Sequence, residues 1–150
     1  MINQEQAKQM SQARGFVAAL DQSGGSTPKA LGLYGIASDQ YSNDEEMFAL
    51  IHEMRSRIMR ASAFQGDKVI GAILFENTMG RNIDGTPAAD YLWQHRGVVP
   101  FLKVDEGLAD EENDAQILKP MPELSALLDR AKRANIFGTK MRSVIHRANP

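Results

Sequence analysis

The chain contains 150 residues, 43% hydrophobic and 24% charged, the composition of an ordinary globular protein whose length predicts one domain. Its 17 Lys and Arg against 19 Asp and Glu give a formal net charge of −2. That balance disfavours general binding to nucleic acid or to an anionic membrane, since both need clustered positive charge. The absence of cysteine excludes disulfides, thiolate zinc sites and a cysteine nucleophile.

Residues 1–15 are polar where a secretory signal would need an apolar segment. No apolar stretch of the sequence is long enough to span a bilayer. A cysteine-free chain is also compatible with the reducing cytosol. We therefore expect a cytoplasmic protein.

Four apolar runs of strand length recur along the chain, and they lack the alternation of a half-exposed strand. Stretches with helical periodicity separate them. A strand that is buried on both faces has this continuous apolar character, so the pattern predicts a parallel sheet covered by helices, the α/β class. The predicted strands are Phe16–Leu20, Val69–Phe75, Val98–Val104 and Ile136–Met141.

Capping residues, prolines and glycines mark the ends of the helices between these strands. Ser42, with Glu45 three residues on, has the spacing of a capping box, and apolar residues then recur from Met47 to Ile58. Gly97 is typical of a helix end. Five other helices are predicted. One covers residues 3–13 and another runs from Ser143 onward. The other three begin at Pro28, with Ser26 or Thr27 as cap, at Pro87 and at Pro122.

Charged residues stand at the carboxyl ends of all four predicted strands. Asp21 ends the first strand, Glu76 the second, Lys103 the third and Lys140 the fourth, with Arg142 two positions on. In a parallel α/β protein these ends form the site. Strand alternation places both cations of the fourth strand on one side, next to the lysine of the third.

Two interpretations of these charges remain open. A lysine close to other cations has its ammonium form destabilised, which suits attack on a carbonyl or proton transfer. Alternatively, each cation pairs with Asp21 or Glu76 in a structural ion network. The spacing of the residues does not choose between them.

The segment Gly24-Gly25-Ser26 precedes the helix at Pro28. Its backbone N–H groups and the hydroxyls of Ser23 and Ser26 could hold a phosphate, with Lys29 as an additional positive charge. A flexible turn has the same composition. The glycine spacing matches neither a P-loop nor a dinucleotide fingerprint.

The remaining polar residues lack the spacing of a metal site. His52, His95 and His146 lie far apart in the sequence, so we interpret them as surface or packing residues. The acidic cluster at residues 111–114 is interpreted as a solvated loop.

Five segments of the sequence form a recognisable set. They are GFVAALDQSGGSTPK (residues 15–29), YSNDEEM (41–47), GAILFE (71–76), VPFLKVD (99–105) and FGTKMR (137–142). Together, in this order and over nearly the whole chain, they resemble one family, the class I (Schiff-base) fructose-bisphosphate aldolases, and in particular their bacterial branch. No single segment would suffice.

The resemblance implies a (β/α)8 TIM barrel that reversibly cleaves fructose 1,6-bisphosphate into dihydroxyacetone phosphate and glyceraldehyde 3-phosphate in glycolysis. The carbonyl is activated as a lysine imine, without a cofactor or metal. By motif match, Asp21 resembles the aspartate that assists carbinolamine and carbon–carbon bond chemistry, and Lys140 the lysine that supports imine formation. Lys103 matches the strand-three lysine. Positions around the substrate phosphates match Ser23, Ser26, Lys29 and Arg142.

In this family the Schiff-base lysine lies on strand six and the principal acid–base glutamate on strand five, both beyond residue 150. We therefore expect residues 1–150 to be the amino-terminal half of a single barrel domain, inactive when isolated. Neither Lys103 nor Lys140 is assigned as the nucleophile. The resemblance leaves open whether the protein forms a homo-oligomer.

Two alternatives are kept. The chain could be a non-catalytic half-barrel that binds a sugar phosphate or pairs with a second copy, because a four-stranded half has open edges and an exposed apolar interior. It could also belong to another imine-forming barrel, such as a transaldolase or deoxyribose-phosphate aldolase, although the Asp21–Lys29 segment disfavours this. Metal-dependent class II aldolases are disfavoured because no histidine cluster could hold zinc.

Overall fold

Four parallel strands lie side by side in sequence order in the computed structural model, which describes residues 3–146. They are β1 (Phe16–Leu20), β2 (Val69–Leu74), β3 (Val99–Lys103) and β4 (Gly138–Lys140). The pairing is in register, so Leu20 lies beside Leu74, and Leu74 beside Leu102. The predictions of an α/β fold and of a parallel sheet are confirmed.

Six helices connect or flank these strands in residues 3–146. They are α1 (Gln4–Gln12), α2 (Thr27–Leu33), α3 (Asp44–Arg60), α4 (Glu76–Met79), α5 (Ala88–Arg96) and α6 (Leu124–Arg133). A 3-10 turn covers Ser38–Gln40. In the described part of the chain, every helix is too short or too polar to cross a bilayer.

Helices cover one face of the sheet. Leu20, Leu74 and Leu102 point to that face and are buried in clusters with side chains of the helices. On the opposite face, Val17 and Ala19 of β1 are exposed. The prediction of strands buried on both faces is therefore wrong for β1, because a continuous apolar run does not reveal which neighbours are present to cover each face.

We call the side of the sheet that carries Val17, Ala19 and Phe101 the open face. The Phe101 ring lies across this face between two glycines on the neighbouring strands. A Cβ atom placed on Gly71 or Gly138 would come within 3.1 or 3.0 Å of the ring. The two glycines therefore make the room that this aromatic side chain occupies.

The start of α3 lies one residue later than the sequence predicts. Asn43, not Ser42, is the capping residue, and its Oδ1 accepts a hydrogen bond from the Glu46 backbone N–H at 2.9 Å. The Glu46 carboxylate accepts from the Ser42 N–H at 2.7 Å. The predicted capping box of Ser42 and Glu45 is therefore not formed. Asn43 caps α3 because its amide oxygen also accepts a hydrogen bond, and Glu46 bonds back to the N–H of Ser42, not to that of the capping residue.

The start of α2 also differs in detail from the prediction. Ser26 occupies the capping position, but its hydroxyl bonds to Ser23 and does not cap the helix. Thr27 begins the helix and is fully buried, where its hydroxyl donates to the Ser23 carbonyl at 2.9 Å. Both residues therefore shape the loop that precedes the helix.

Other boundaries also differ from the sequence predictions. The fourth strand, predicted at Ile136–Met141, covers only Gly138–Lys140. The helix predicted from Pro122 begins at Leu124. The polar segment after β2 contains α4 and a small antiparallel hairpin, Asn82–Ile83 with Thr86–Pro87. The helix predicted from Ser143 is wrong within the described residues, since Val144–Ile145 pairs antiparallel with Ala115–Gln116; residues 147–150 lie outside the described part. β-branched residues such as Val144 and Ile145 favour this strand pairing.

The predicted helices at residues 3–13 and after Pro87 are confirmed. The Gln9 side chain of α1 donates to the carbonyls of Ile70 and Gly97, at 2.9 and 2.6 Å, so α1 lies at the amino end of β2 and β3. Gly97 ends α5 in the left-handed conformation with φ +64°. The opposite, carboxyl ends of the strands therefore remain available for a site.

The close approach of the Gly66 backbone to Gly97 can be tested by substitution. A Cβ atom at Gly66 would lie 2.2 Å from the Gly97 carbonyl oxygen, which is backbone and cannot rotate away. We expect Gly66→Ala to lower the free energy of unfolding by about 1–3 kcal/mol. Gly32→Ala in α2 is the matched control, since a Cβ there meets nothing within 4 Å and alanine favours helix. Chemical denaturation measures both, and equal stability of the two variants would contradict the packing.

Candidate active site

The strand register brings three of the predicted charged residues to one end of the open face. Lys103 and Lys140 are direct neighbours at the carboxyl ends of β3 and β4. They follow Phe101 and Gly138 by two residues, so strand alternation places them on the same face. Asp21 follows Ala19 in the same way at the end of β1.

Asp21 and Lys140 form an ion pair between the first and the last strand. The Lys140 Nζ donates to the Asp21 Oδ2 at 2.7 Å. The Asp21 side chain is 11% exposed and that of Lys140 is 31% exposed, so the pair is partly shielded from water. A carboxylate and an amine at this distance can exchange a proton directly.

Lys103 forms a second ion pair, with Asp105. Its Nζ lies 2.9 Å from the Asp105 Oδ1 and also donates to the backbone carbonyl of that residue. Burial acts to raise the pKa of Asp105, but the hydrogen bond and charge of Lys103, the Gly107 N–H and the charge of Lys140 together hold it below its ordinary 3.8. Oδ2 of Asp105 is buried and accepts no hydrogen bond from the described residues.

Behind Asp21 lies Arg55, a fully buried residue of α3. Its Nη1 donates to the Thr78 hydroxyl at 2.8 Å, and its Nη2 donates to the Gln22 carbonyl at 2.6 Å and to the Gln22 side-chain oxygen at 3.2 Å. Burial lowers the pKa of Arg55 to about 10, against the opposing effect of the Asp21 charge. The site therefore has a third cation within its wall.

Both interpretations of the strand-end charges are thus partly realised. The cations do gather, but each lysine is bonded to a carboxylate, and the partner of Lys103 is Asp105 instead of Asp21 or Glu76. We call Asp21, Arg55, Lys103, Asp105 and Lys140 the charged cluster.

Glu76 and Arg142 do not join the charged cluster in the way the sequence suggests. Glu76 lies in α4 and bonds to Arg130 of α6 at 2.6 Å. β4 ends at Lys140, so strand alternation does not extend to Arg142, which is exposed. The expectation that Glu76 and Arg142 face the same site as the lysines is therefore wrong, because β2 and β4 end before these residues.

The loop between β1 and α2 is ordered by its own hydrogen bonds. The Ser23 N–H donates to the Ser26 Oγ at 3.1 Å, and the Ser26 hydroxyl lies 3.3 Å from the Ser23 carbonyl. Lys29 is exposed in the first turn of α2. The loop therefore carries two serines close to Asp21 in sequence, with the Ser23 N–H and the Ser26 hydroxyl bonded to each other.

The histidines occupy packing or surface positions. The Nε2 of His52 lies 3.0 Å from the Asn82 carbonyl, and burial is the main reason that its pKa is lowered from 6.5. His95 stacks on Tyr91 with ring centroids 5.1 Å apart, and His146 lies 3.3 Å from Glu111. Within residues 3–146 no group of three or more His, Asp or Glu is placed to hold a metal ion.

A cleft of about 660 Å³ lies elsewhere, along α5, α6 and the Ile136–Thr139 segment. Its lining includes Asp90, Trp93 and Lys132 but none of the site residues that the sequence predicts. Charge and strand-end position, not cavity size, thus locate the candidate site.

Known proteins match the chain along its whole length. It is 59% identical over 148 residues to the fructose-bisphosphate aldolase class 1 of Synechocystis sp., covering 99% of this chain and 49% of that protein. It is 60% identical over 148 residues to the protein of the same name from Porphyromonas gingivalis, covering 99% and 50%. The chain is similar to class 1 fructose-bisphosphate aldolases. It spans about half the length of these curated relatives, and no protein-family model matches it.

A solved structure agrees with this similarity. The fructose-bisphosphate aldolase of Plasmodium falciparum, crystallised with TRAP and a small-molecule inhibitor, superposes with a TM-score of 0.65 at 20% identity. The match covers 91% of this chain and 38% of that one. The predicted fold, part of a TIM barrel, is confirmed, and residues 3–146 form an open four-stranded part of it.

Sequence reasoning missed Arg55 and undervalued Asp105. A signal for Arg55 exists, because it stands four residues after Ile51 and thus on the apolar stripe of α3, where a charge must be paired or bonded. Asp105 comes only two residues after Lys103, yet no role is predicted for it from the sequence. Its burial depends on the fold and has no local signature.

Asp105→Asn tests the electrostatics of the second ion pair. Because the pKa of Asp105 is lowered in the folded state, its charge contributes stability that is fully present above about 3.8 and is lost as pH falls through the lowered value. We expect the variant to have a lower Tm than the wild type at pH 6, and the difference to shrink below pH 3.8. Thermal unfolding from pH 2 to 6 measures this, and a difference that does not change with pH would contradict the assignment.

Proposed function

We propose that residues 1–150 supply one half of the active site of a class I fructose-bisphosphate aldolase. The observation that carries the proposal is the whole-length match to half of the class 1 aldolases, together with the pairing of Asp21 and Lys140 beside Lys103. The reaction is metal-independent, reversible cleavage of fructose 1,6-bisphosphate to dihydroxyacetone phosphate and glyceraldehyde 3-phosphate. On this proposal, the chain is the amino-terminal half of a single barrel domain.

Each catalytic residue has a role that its environment suits. Asp21 assists the carbinolamine and carbon–carbon bond steps by accepting and returning a proton. Lys140, 2.7 Å away, supports imine formation through its charge and by proton transfer. Lys103 adds positive charge on the neighbouring strand, where Asp105 holds its ammonium group.

Residues around Asp21 and Lys140 bind the substrate phosphates in this proposal. Ser23 and Ser26 lie in the loop beside Asp21, and Lys29 and Arg142 are exposed cations that follow the carboxyl ends of the two edge strands, β1 and β4. Hydroxyl and backbone N–H donors with nearby cations suit a phosphate group. On this proposal the Schiff-base lysine and the acid–base glutamate lie outside residues 1–150. The proposed compartment is the cytoplasm, with which the cysteine-free composition is compatible.

A chimera tests the proposal. The 150-residue chain replaces the matching half of the Porphyromonas gingivalis aldolase, and cleavage of fructose 1,6-bisphosphate is measured. We expect the chimera to be active, and Asp21→Asn and Lys140→Met each to lower kcat by roughly 100-fold or more, the usual size of a lost acid–base group.

Lys132→Met is the matched control, since Lys132 is an exposed lysine on α6 that should not affect the reaction. A chelator should leave the rate unchanged. A folded but inactive chimera, or Asp21→Asn at the wild-type rate, would overturn the proposal.

The 150-residue chain alone should not cleave fructose 1,6-bisphosphate, because the nucleophile is assigned to the other half. We expect no retro-aldol turnover, and no lysine of this chain trapped with dihydroxyacetone phosphate by borohydride. Turnover accompanied by trapping would refute this division of the site.

One observation favours a second candidate function, a half-barrel that associates with another copy of itself. Phe16 and Val17 of β1 are 59% and 39% exposed, and β1 and β4 are both edges of the sheet. Exposed apolar surface beside an unpaired strand edge favours association. Under this alternative the isolated chain sediments as a dimer or larger, and Val17→Asp shifts it towards monomer. A well-folded wild-type monomer would exclude it.

A further inference from the structure

Arg55 is the charged member of the buried face of α3, whose other buried side chains are four apolar residues and Ser56. It is fully buried, and the three acceptors it contacts, on Thr78 and Gln22, are all neutral. Taking a guanidinium out of water is costly unless hydrogen bonds and an opposite charge compensate. Three hydrogen bonds supply part of this compensation.

The opposite charge comes from Asp21, the residue next to Gln22. Asp21 acts on Arg55 through its charge, without a direct bond, while its Oδ2 is bonded to Lys140. Asp21 therefore stands between two cations, one in front of it on β4 and one behind it on α3.

The hydrogen bonds of Arg55 fix the chain where the Asp21 side chain begins. The Gln22 carbonyl accepts from Nη2 at 2.6 Å and lies 3.3 Å from the Thr27 hydroxyl. The Thr78 hydroxyl, on the short helix that follows β2, holds the other arm of the guanidinium at 2.8 Å. One planar group thus connects α3, the end of β1 and the end of β2.

We propose that Arg55 is a positioning residue for Asp21, holding the Asp21–Gln22 backbone so that the carboxylate stays directed at Lys140. Its effect on the reaction rests on the proposed function, whereas its effect on Asp21 does not. If Arg55 only filled space, its effect on stability would be the same whether or not residue 21 carries a charge.

The first experiment uses the 150-residue chain itself and requires no activity. Arg55→Met, Asp21→Asn and the double variant are compared by thermal unfolding in a double-mutant cycle. We expect Arg55→Met to lower the Tm of the wild type more than it lowers the Tm of Asp21→Asn, because the buried cation loses its compensating charge in that background. Equal shifts in both backgrounds would overturn the proposal.

The second experiment measures fructose 1,6-bisphosphate cleavage by the chimera. We expect Arg55→Met to lower kcat by roughly 10- to 100-fold with little change in KM, the order of loss that follows a small misplacement of a catalytic group. In the Asp21→Asn background it should cause no further loss. A kcat within twofold of wild type, or a loss of the same factor in both backgrounds, would overturn the proposal.

Arg60→Met is the matched control, since Arg60 lies on the same helix and pairs with Asp84 at 2.7 Å on the surface. If Arg55→Met does not fold, Thr78→Val replaces it, because this variant removes the hydrogen-bond acceptor of Nη1. Its effect on kcat is measured in the wild-type and Asp21→Asn backgrounds. We expect a smaller loss of kcat, again only in the wild-type background, and an equal loss in both would overturn the proposal. An inactive wild-type chimera would overturn the proposed function only, and the thermal cycle then decides the role of Arg55.

Discussion

The ion pair between Asp21 and Lys140 joins the two outermost strands of the sheet across two others. Neighbouring strands lie about 4.8 Å apart, so a flat sheet would separate β1 and β4 by about 14 Å. An aspartate and a lysine that point to the same face bridge that span at 2.7 Å only if the sheet curves towards them. The curvature of a barrel wall is therefore present in these four strands, and the site depends on it.

The same curvature explains which residues occupy the open face between the strand ends. The concave side of a curved sheet has less room than the convex side, so large side chains cannot stand at every position. Phe101 occupies the centre, and glycines stand at Gly71 and Gly138 beside it. Its ring meets Phe137 edge to face, with centroids 5.5 Å apart. This packing supports the strand ends from which Lys103 and Lys140 extend.

Much of this arrangement follows from the sequence, because apolar runs and helix boundaries are local signals. The limits of β1 match the predicted Phe16–Leu20, and parallel pairing of the strands then places Lys103 beside Lys140. What could not be predicted depends on distant contacts. The pairing of Val144–Ile145 with Ala115–Gln116 replaces a helix, and Asp105 becomes buried although it is charged and is followed directly by Glu106.

The net charge of the charged cluster is opposite in sign to that of the whole chain. Residues 1–150 carry a net charge of −2, whereas the cluster combines three cations with two carboxylates and is positive by one charge. Each carboxylate is engaged by a lysine, and the Arg55 charge is buried behind Asp21. Buried charge is screened less by salt than surface charge. A fixed positive charge at the carboxyl ends of the strands therefore suits an anionic ligand, even though the net charge of the chain is negative.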